Sequence, residues 1–335
     1  MKICVYAICK NEMKFLDKWL DNMSEADYIV VLDTGSTDGS YEFLQKDKRV
    51  TLTRQKIIDP WRFDVARNES LRLIPEDADV CVCTDPDELF EPGWAKVIRD
   101  NWKVGETTRG KYNYAWSHND AGEPIFIFAY NKMHANHKYH WRYPCHEVVV
   151  PNDPKMEEKI LEFGDTIYLH HYQDTSKDRS NYLDLLEIAR KERPDNLYIQ
   201  MLYARELIIW HHTEEGLEVY LDLLNNPKID GPDVDLVLRD SLLVVAKTYI
   251  DLDNLTEAEW YLKEFLRVDS TYREPYLLLA EIYYQQNVFT LAQSCIEAAK
   301  KYSFRHLNWV EHSFAYSGWL EELQEKVKKA IENNV

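Results

Sequence analysis

The segments VVLDTGSTDGS (Val30–Ser40) and VCVCTDPDELF (Val80–Phe90) decide how the first half of this chain is interpreted. Each begins with an apolar run typical of a buried strand and ends abruptly in carboxylates. In the second segment the acids Asp85 and Asp87 stand one residue apart. Two strands that deliver acids to one edge of a sheet make a place to hold a nucleotide and a divalent cation, because carboxylates are hard oxygen ligands suited to Mg²⁺ or Mn²⁺.

Strand-like and helix-like segments alternate around these two runs. KICVYAIC is a β-type run, KNEMKFLDKWLDNM has apolar residues at helical spacing, and RVTLTRQ, FDVARNESLRLIP and DADVCVCTD follow as strand, helix and strand. This alternation predicts a mostly parallel sheet covered by helices on both faces. Ligands of such sheets lie at the carboxyl ends of the strands, so we expect Asp33 and Asp85 to face one crevice.

Composition limits the class of protein. With 335 residues and a hydrophobic fraction of 45%, the chain has room for about two globular domains. Its net charge of −18 excludes a nucleic-acid partner, since phosphate binding needs a basic surface. The N-terminus lacks a signal-peptide pattern, no apolar run is long enough to span a membrane, and the six cysteines are scattered, so we expect a cytoplasmic protein without a transmembrane segment.

Three ordered motifs carry a resemblance to a known family. VVLDTGSTDGS, FDVARNESL (Phe63–Leu71) and TDPDE (Thr84–Glu88) resemble, in order and spacing, the nucleotide-sugar domain of family 2 glycosyltransferases. The resemblance covers residues 1 to about 175. It implies an α/β, Rossmann-like GT-A domain over 1–175, a nucleoside-diphosphate-sugar donor that is usually UDP-linked, a Mn²⁺ or Mg²⁺ cofactor, and inversion at the anomeric carbon.

The same resemblance implies which residues surround the donor. Asp33 matches the acid that contacts the base or ribose, and Asn11 and Glu12 match the exit of the first strand near the nucleotide. Arg67 and Asn68 match the Ala-Arg-Asn element beside the donor. We therefore expect these five side chains to bind the nucleotide sugar.

The metal residues follow from the resemblance in the same way. Asp85 and Asp87 match the DxD motif, in which the last acid binds the metal and the first touches the ribose or a metal-bound water. Pro86 departs from the small residue that is commoner at the middle position, which leaves the role of Asp85 open. His171 or His170, in TIYLHHYQD, matches a histidine that completes the metal site. Successive strand residues point to opposite faces, so only one enters, and we favour His171.

Inverting transfer also needs a base that accepts the acceptor proton. Glu147, in WRYPCHEVV, is our candidate, because similar domains carry a His-Glu pair after a Trp and a Pro at this point. Asp120 and Glu88 are the alternatives.

The second half shows a different period. Four residues, Ala246, Tyr249, Ala258 and Leu262, recur 34 residues later as Ala280, Tyr283, Ala292 and Ile296. An earlier set, Ala204, Gly216 and Tyr220, keeps the same internal spacing of 12 and 4. Small residues at a 34-residue period predict an all-α, tetratricopeptide-like repeat domain over 176–335. We expect most of its aromatic side chains to fill the core and some to line a concave groove; examples are Tyr198, Tyr203, Trp210, Trp260 and Tyr284.

These observations favour a metal-dependent inverting glycosyltransferase that moves a sugar from a UDP-sugar to an acceptor. Soluble glycosyltransferases with a helical repeat tail resemble enzymes that modify peptides, which favours a peptide or protein side chain as acceptor. A glycan or lipid-linked acceptor is the alternative. The repeat groove can also serve peptide binding or homodimerisation. A hypothesis from another class is a repeat scaffold whose first domain is a degenerate nucleotide-sugar domain.

Overall fold

The structure is a computed structural model that divides into two compact units, Met1–Asn181 and Tyr182–Val335. The division falls a few residues after the predicted limit of the first domain. The model describes residues 1–55, 61–119, 121–174, 177, 180–229, 235–302, 313–316 and 318–333.

The first unit alternates strands and helices and then continues in strands. Its elements are β1 (Ile3–Cys9), α1 (Met13–Met23), β2 (Tyr28–Asp33), α2 (Ser40–Lys46), β3 (Val50–Arg54), α3 (Phe63–Leu71), β4 (Val80–Cys83), β5 (Glu88–Phe90), α4 (Trp94–Asn101), β6 (Arg109–His118), β7 (Pro124–Ala135), β8 (Tyr139–Arg142), β9 (Val148–Pro151) and β10 (Ile160–His171).

An eight-stranded sheet forms the core of this unit, in the order β3-β2-β1-β4-β7-β6-β10-β5. The four strands β3, β2, β1 and β4 are parallel to one another. Strands β1 and β4 are buried along their whole length. Continuous apolar runs of this kind are typical of parallel strands that are covered on both faces. Parallel pairing also brings the ends of β2 and β4, with Asp33 and Asp85, to the same edge of the sheet.

The rest of the sheet is mixed, so the prediction of a mostly parallel sheet holds for one half only. Strand β7 pairs antiparallel with both β4 and β6, while β10 runs parallel to β6. Strand β5 pairs antiparallel with β10 and sets Glu88 opposite His171. This last pairing brings the end of β10 to the acidic segment that follows β4.

The second unit consists of helices in the described residues. They are α5 (Tyr182–Glu192), α6 (Leu197–Ile209), α7 (Thr213–Leu224), α8 (Asp235–Asp251), α9 (Leu255–Val268), α10 (Glu274–Gln285), α11 (Phe289–Lys300), a 3₁₀ turn (Ser313–Tyr316) and α12 (Trp319–Asn333). The predicted fold class, an α/β domain followed by an all-α helical repeat domain, is confirmed. Among the helices that the structure describes, none is both long and apolar enough to cross a membrane.

Small residues mark where paired helices touch. The recurring alanines of α8 to α11 are fully buried, as are Ala204 on α6 and Tyr220 on α7. A Cβ atom on Gly216 would lie 2.8 Å from the backbone oxygen of Ala204, so only glycine permits this approach of α7 to α6. Among the aromatic residues considered, Tyr203 is buried, whereas Trp210 is 42% exposed and Trp260 is 53% exposed and do not fill the core.

Candidate active site

The acidic segment after β4 folds back on itself. The backbone N–H of Asp85 donates to Oε2 of Glu88 at 2.8 Å, and the N–H of Glu88 donates to the carbonyl of Asp85 at 2.9 Å. Glu88 is buried and also accepts a hydrogen bond from the hydroxyl of Tyr114 at 2.7 Å. Glu88 therefore shapes the turn that carries Asp85 and Asp87, and hydrogen bonds engage both of its carboxylate oxygens. Asp120, the other alternative to Glu147 as the base, lies outside the described residues.

Asp85 is held by two buried cations. Arg67 donates from both of its terminal nitrogens to the two carboxylate oxygens, at 2.9 and 3.0 Å, and Nζ of Lys132 lies 3.2 Å from Oδ2. Burial alone would raise the pKa of Asp85, but the charges of Arg67 and Lys132 outweigh burial and hold this pKa well below its usual range. Asp85 is thus a permanent anion, and protein donors occupy both of its oxygens.

Arg67 also holds the predicted base. Its Nε donates to Oε1 of Glu147 at 2.5 Å, and its guanidinium lies 5.0 Å from the ring centre of Trp141. Arg67 is 3% exposed, on a helix, α3, that packs against β1, β2 and β8. One guanidinium therefore sets the positions of Asp85 and Glu147 together.

Asn68 uses its side chain to fix α3 to β8. Its Nδ2 donates to the carbonyl of Trp141 at 2.8 Å, and its Oδ1 accepts from the backbone N–H of Trp141 at 2.8 Å. The amide is engaged in both directions. A direct contact between Asn68 and a nucleotide sugar stays a prediction. In the structure, Asn68 ties α3, which carries the neighbouring Arg67, to β8.

Asp87 lies in a second cluster, with His171, Lys177 and Glu12. Its Oδ2 is 3.6 Å from Nε2 of His171 and 3.4 Å from Nζ of Lys177, whose ammonium also lies 2.7 Å from Oε1 of Glu12. Burial acts to raise the pKa of Asp87, but the contacts with His171 and Lys177 lower this pKa overall. Burial would lower the pKa of His171, and the contact with Asp87 raises it instead.

Glu12 is the least compensated acid of this cluster. It is 8% exposed, and its Oε2 is buried without a hydrogen-bond partner. Burial raises the pKa of Glu12 to about 7, although Lys177 acts to lower it.

The two histidines at the end of β10 point to different surroundings, as the alternation of strand side chains predicts. His171 contacts Asp87, whereas Nδ1 of His170 lies 2.9 Å from Nε2 of His118. Nε2 of His170 lies 3.5 Å from a carboxylate oxygen of Glu91. The structure therefore brings His171, and not His170, to the segment that carries Asp85 and Asp87.

Asp33 organises the loop after β2. Its fully buried carboxylate accepts hydrogen bonds from the backbone N–H groups of Gly35 and Ser36 and lies 3.2 Å from Nε of Arg54. Gly35 has a φ of 106°, which favours glycine. A direct contact between Asp33 and a nucleoside stays a prediction, and in the structure Asp33 shapes the loop that would receive one.

Asn11 ties the exit of β1 to the same loop. Its Oδ1 accepts from the backbone N–H of Thr37 at 2.7 Å, and its own N–H donates to the hydroxyl of Ser36 at 3.0 Å. The exits of β1 and β2 thus form one connected surface at the carboxyl edge of the sheet.

The carboxylate of Asp87 is an oxygen ligand of the kind that suits Mn²⁺ or Mg²⁺, whereas the imidazole of His171 is a weaker match for Mg²⁺. A carboxylate oxygen and an imidazole nitrogen converge, and the orphaned Oε2 of Glu12 lies on a side chain of the same cluster. Asp85 does not fit as a direct ligand because Arg67 and Lys132 occupy its oxygens. In the part of the chain that the structure describes, no group of three or more His, Cys, Asp or Glu side chains is arranged to hold a metal.

The sequence analysis did not identify two lysines that contact the acids of this site, Lys132 and Lys177. Lys132 interrupts the apolar run at the end of β7, and a charge in such a run is a signal that a buried partner exists. Lys177 stands in the polar segment QDTSKDRS, where no pattern distinguishes it.

Comparison with known proteins gives structural similarities only. No family model matches the chain, and no curated protein matches it. A crystal structure of S. aureus TarS 1-349 is 13% identical with a TM-score of 0.39, covering 91% of this chain and 93% of that one. A second S. aureus TarS structure is 13% identical with a TM-score of 0.43, covering 76% of this chain and 54% of that one. Pseudomonas aeruginosa PilF is 12% identical with a TM-score of 0.33, covering 44% of this chain and 63% of its own. The chain thus spans less than two thirds of PilF and of the second TarS chain.

Replacing Arg67 by alanine should strongly destabilise the first unit. The change leaves Asp85 and Glu147 without their shared partner, and breaking a buried ion pair on one side costs about 3–5 kcal/mol. Denaturant unfolding followed by circular dichroism measures the loss. The control is Arg72→Ala, because the exposed Arg72 pairs with Glu69 at the surface and should change the unfolding free energy by less than about 0.5 kcal/mol. Equal effects of the two substitutions would contradict the central position of Arg67.

Glu12 should make the stability of the protein depend on pH. In the unfolded chain the carboxyl group of Glu12 releases its proton near pH 4.5, whereas in the folded protein it holds the proton until about pH 7. The stabilising contribution of protonated Glu12 is therefore complete below pH 4.5 and disappears as the pH rises through 7. Relative to Glu12→Gln, the wild-type unfolding free energy should fall by up to about 3 kcal/mol over this interval. Denaturant titrations at several pH values measure the difference. A flat difference, or the same slope for the exposed control Glu42→Gln, would contradict this account.

Proposed function

We propose that the protein is a glycosyltransferase that moves a sugar from a UDP-sugar to an acceptor with the help of Mn²⁺ or Mg²⁺. The observation that carries the proposal is the position of Arg67, Asp85, Asp87, Glu147 and His171 around one edge of the mixed sheet. Open α/β sheets bind their ligands at the carboxyl ends of the strands. The three sequence motifs that resemble family 2 glycosyltransferases contain Arg67, Asp85 and Asp87.

Asp87 and His171 would hold the metal, with the diphosphate and water supplying the remaining ligands. When bound, the ion would offset the charge that builds on the leaving diphosphate. Asp85 would act through Arg67 and Lys132: its charge keeps both cations in place beside the donor site. This division explains how the DxD segment tolerates Pro86, since the carboxylate of Asp85 needs only to face two protein cations.

Glu147 would accept the proton from the acceptor nucleophile as the bond to the anomeric carbon forms. Arg67 fixes the carboxylate of Glu147 through Oε1, which leaves Oε2 of Glu147 as the oxygen that would take up the proton. The proton moves from the acceptor to Glu147, and the electrons of the broken sugar–oxygen bond leave with UDP. Attack from the face opposite the leaving group inverts the anomeric carbon.

The loop that Asn11 and Asp33 organise would receive the nucleoside. The connected hydrogen bonds of this loop hold it in one conformation before a ligand binds, which lowers the entropy cost of binding. The helical repeat unit would recognise the acceptor, a peptide or protein side chain, because stacked helical repeats create concave surfaces suited to binding. A glycan or lipid-linked acceptor would use the same chemistry at Glu147.

A panel of nucleotide sugars tests the proposal in two steps. Thermal shift with and without Mn²⁺ should find a UDP-sugar that raises the melting temperature only with the metal, because a ligand that binds the folded state stabilises it. Glu147→Gln should keep this shift and lose slow donor hydrolysis or transfer by at least about a hundredfold. The matched control is Glu158→Gln, which loses a similar pair with Arg109 at 2.6 Å and should retain turnover. Absence of any metal-dependent shift across the panel would overturn the proposal.

A further inference from the structure

Lys177 occupies an unusual position for a lysine in an acidic ligand site. Its ammonium lies 2.7 Å from Oε1 of Glu12 and 3.4 Å from Oδ2 of Asp87. The side chain is 34% exposed, while those of Glu12 and Asp87 are each 10% exposed. The charge of Lys177 therefore lies at the boundary between the buried acids and solvent.

The carboxylate oxygen of Asp87 that Lys177 contacts, Oδ2, is also the one nearest to His171. Nε2 of His171 lies 3.6 Å from Oδ2 of Asp87, so an ammonium and an imidazole converge on one carboxylate oxygen. A divalent ion held by Asp87 and His171 would need this space. It would stand next to the ammonium, and two positive charges this close repel each other strongly where water is partly excluded.

We propose that Lys177 is the resident counter-ion of Asp87 and Glu12. When no donor is bound, Lys177 competes with the divalent metal for Asp87. When the donor is bound, Lys177 pairs with the donor diphosphate. The inference rests on the proposed function. An ammonium is a compact point charge on a flexible stem, which suits an exchange between a carboxylate and a phosphate oxygen. The diphosphate would draw Lys177 from Asp87 and so make room for the metal.

This exchange couples the two ligands. The metal should bind weakly alone and tightly with UDP, and by reciprocity UDP should gain the same factor from the metal. A neutral residue at position 177 should remove the competition and the diphosphate contact together. Metal affinity without nucleotide should then rise while UDP affinity falls, two opposite changes that general damage to the site would not produce.

Calorimetric titration of the full chain with MnCl₂ alone, and with UDP in saturating MnCl₂, measures both changes. Lys177→Met should bind Mn²⁺ at least tenfold more tightly than wild type and UDP at least tenfold more weakly. Lys177→Gln should do the same if the methionine variant does not fold. Lys177→Arg, which keeps the charge, should resemble wild type. The matched control is Lys14→Met. Like Lys177, the exposed Lys14 lies over the Phe15 ring, but its acidic neighbour is Asp174, at 3.9 Å, and not Asp87 or Glu12.

The outcomes separate the two proposals. If the neutral variants bind Mn²⁺ no more tightly than wild type while wild type still binds UDP, the counter-ion inference is wrong and the proposed function stands. If UDP affinity is unchanged in those variants, Lys177 does not contact the diphosphate and the inference is wrong. If wild type binds neither UDP nor any UDP-sugar with or without Mn²⁺, the proposed function itself is overturned.

Discussion

The buried guanidinium of Arg67 is the constraint on which the site depends. A cation that is 3% exposed is tolerated only when anions surround it, and Asp85 and Glu147 supply that compensation. Arg67 comes from α3, Asp85 from the end of β4, and Glu147 from the segment before β9. One side chain thus joins three separate parts of the first unit, and the site cannot form unless all three are in place.

Asp85 and Asp87 consequently have different surroundings. Asp85 faces permanent protein cations and is fully engaged, whereas Asp87 faces His171 and the partly exposed Lys177. A carboxylate whose partners are a titratable ring and a flexible ammonium can exchange them for a ligand. We therefore propose a structural, electrostatic role for Asp85 and ligand binding for Asp87, although the two stand one residue apart.

Local patterns were sufficient to predict the alternating elements, the repeat unit and the arrival of Asp85 at the sheet edge, because burial periodicity and strand direction determine them. The sequence favoured His171 over His170, and in the structure the antiparallel pairing of β5 with β10 sets His171 opposite Glu88. Lys132 was missed because it reaches Asp85 only through the pairing of β7 with β4, across some fifty residues. Lys177 was missed because nothing in a polar segment marks one lysine among its neighbours.

The division of labour between the two acids is the central claim, and paired asparagine substitutions test it most directly. Calorimetry with UDP and Mn²⁺, together with denaturant unfolding, should be applied to both variants. Asp87→Asn should lose UDP affinity at least about a hundredfold and cost less stability than Asp85→Asn, because Asp87 contacts a titratable ring and a partly exposed lysine instead of two buried cations. Asp85→Asn should lose about 3–5 kcal/mol of stability and, where it remains folded, keep UDP affinity within about tenfold. The reverse pattern, with Asp85→Asn stable but unable to bind UDP and Asp87→Asn binding normally, would contradict the account.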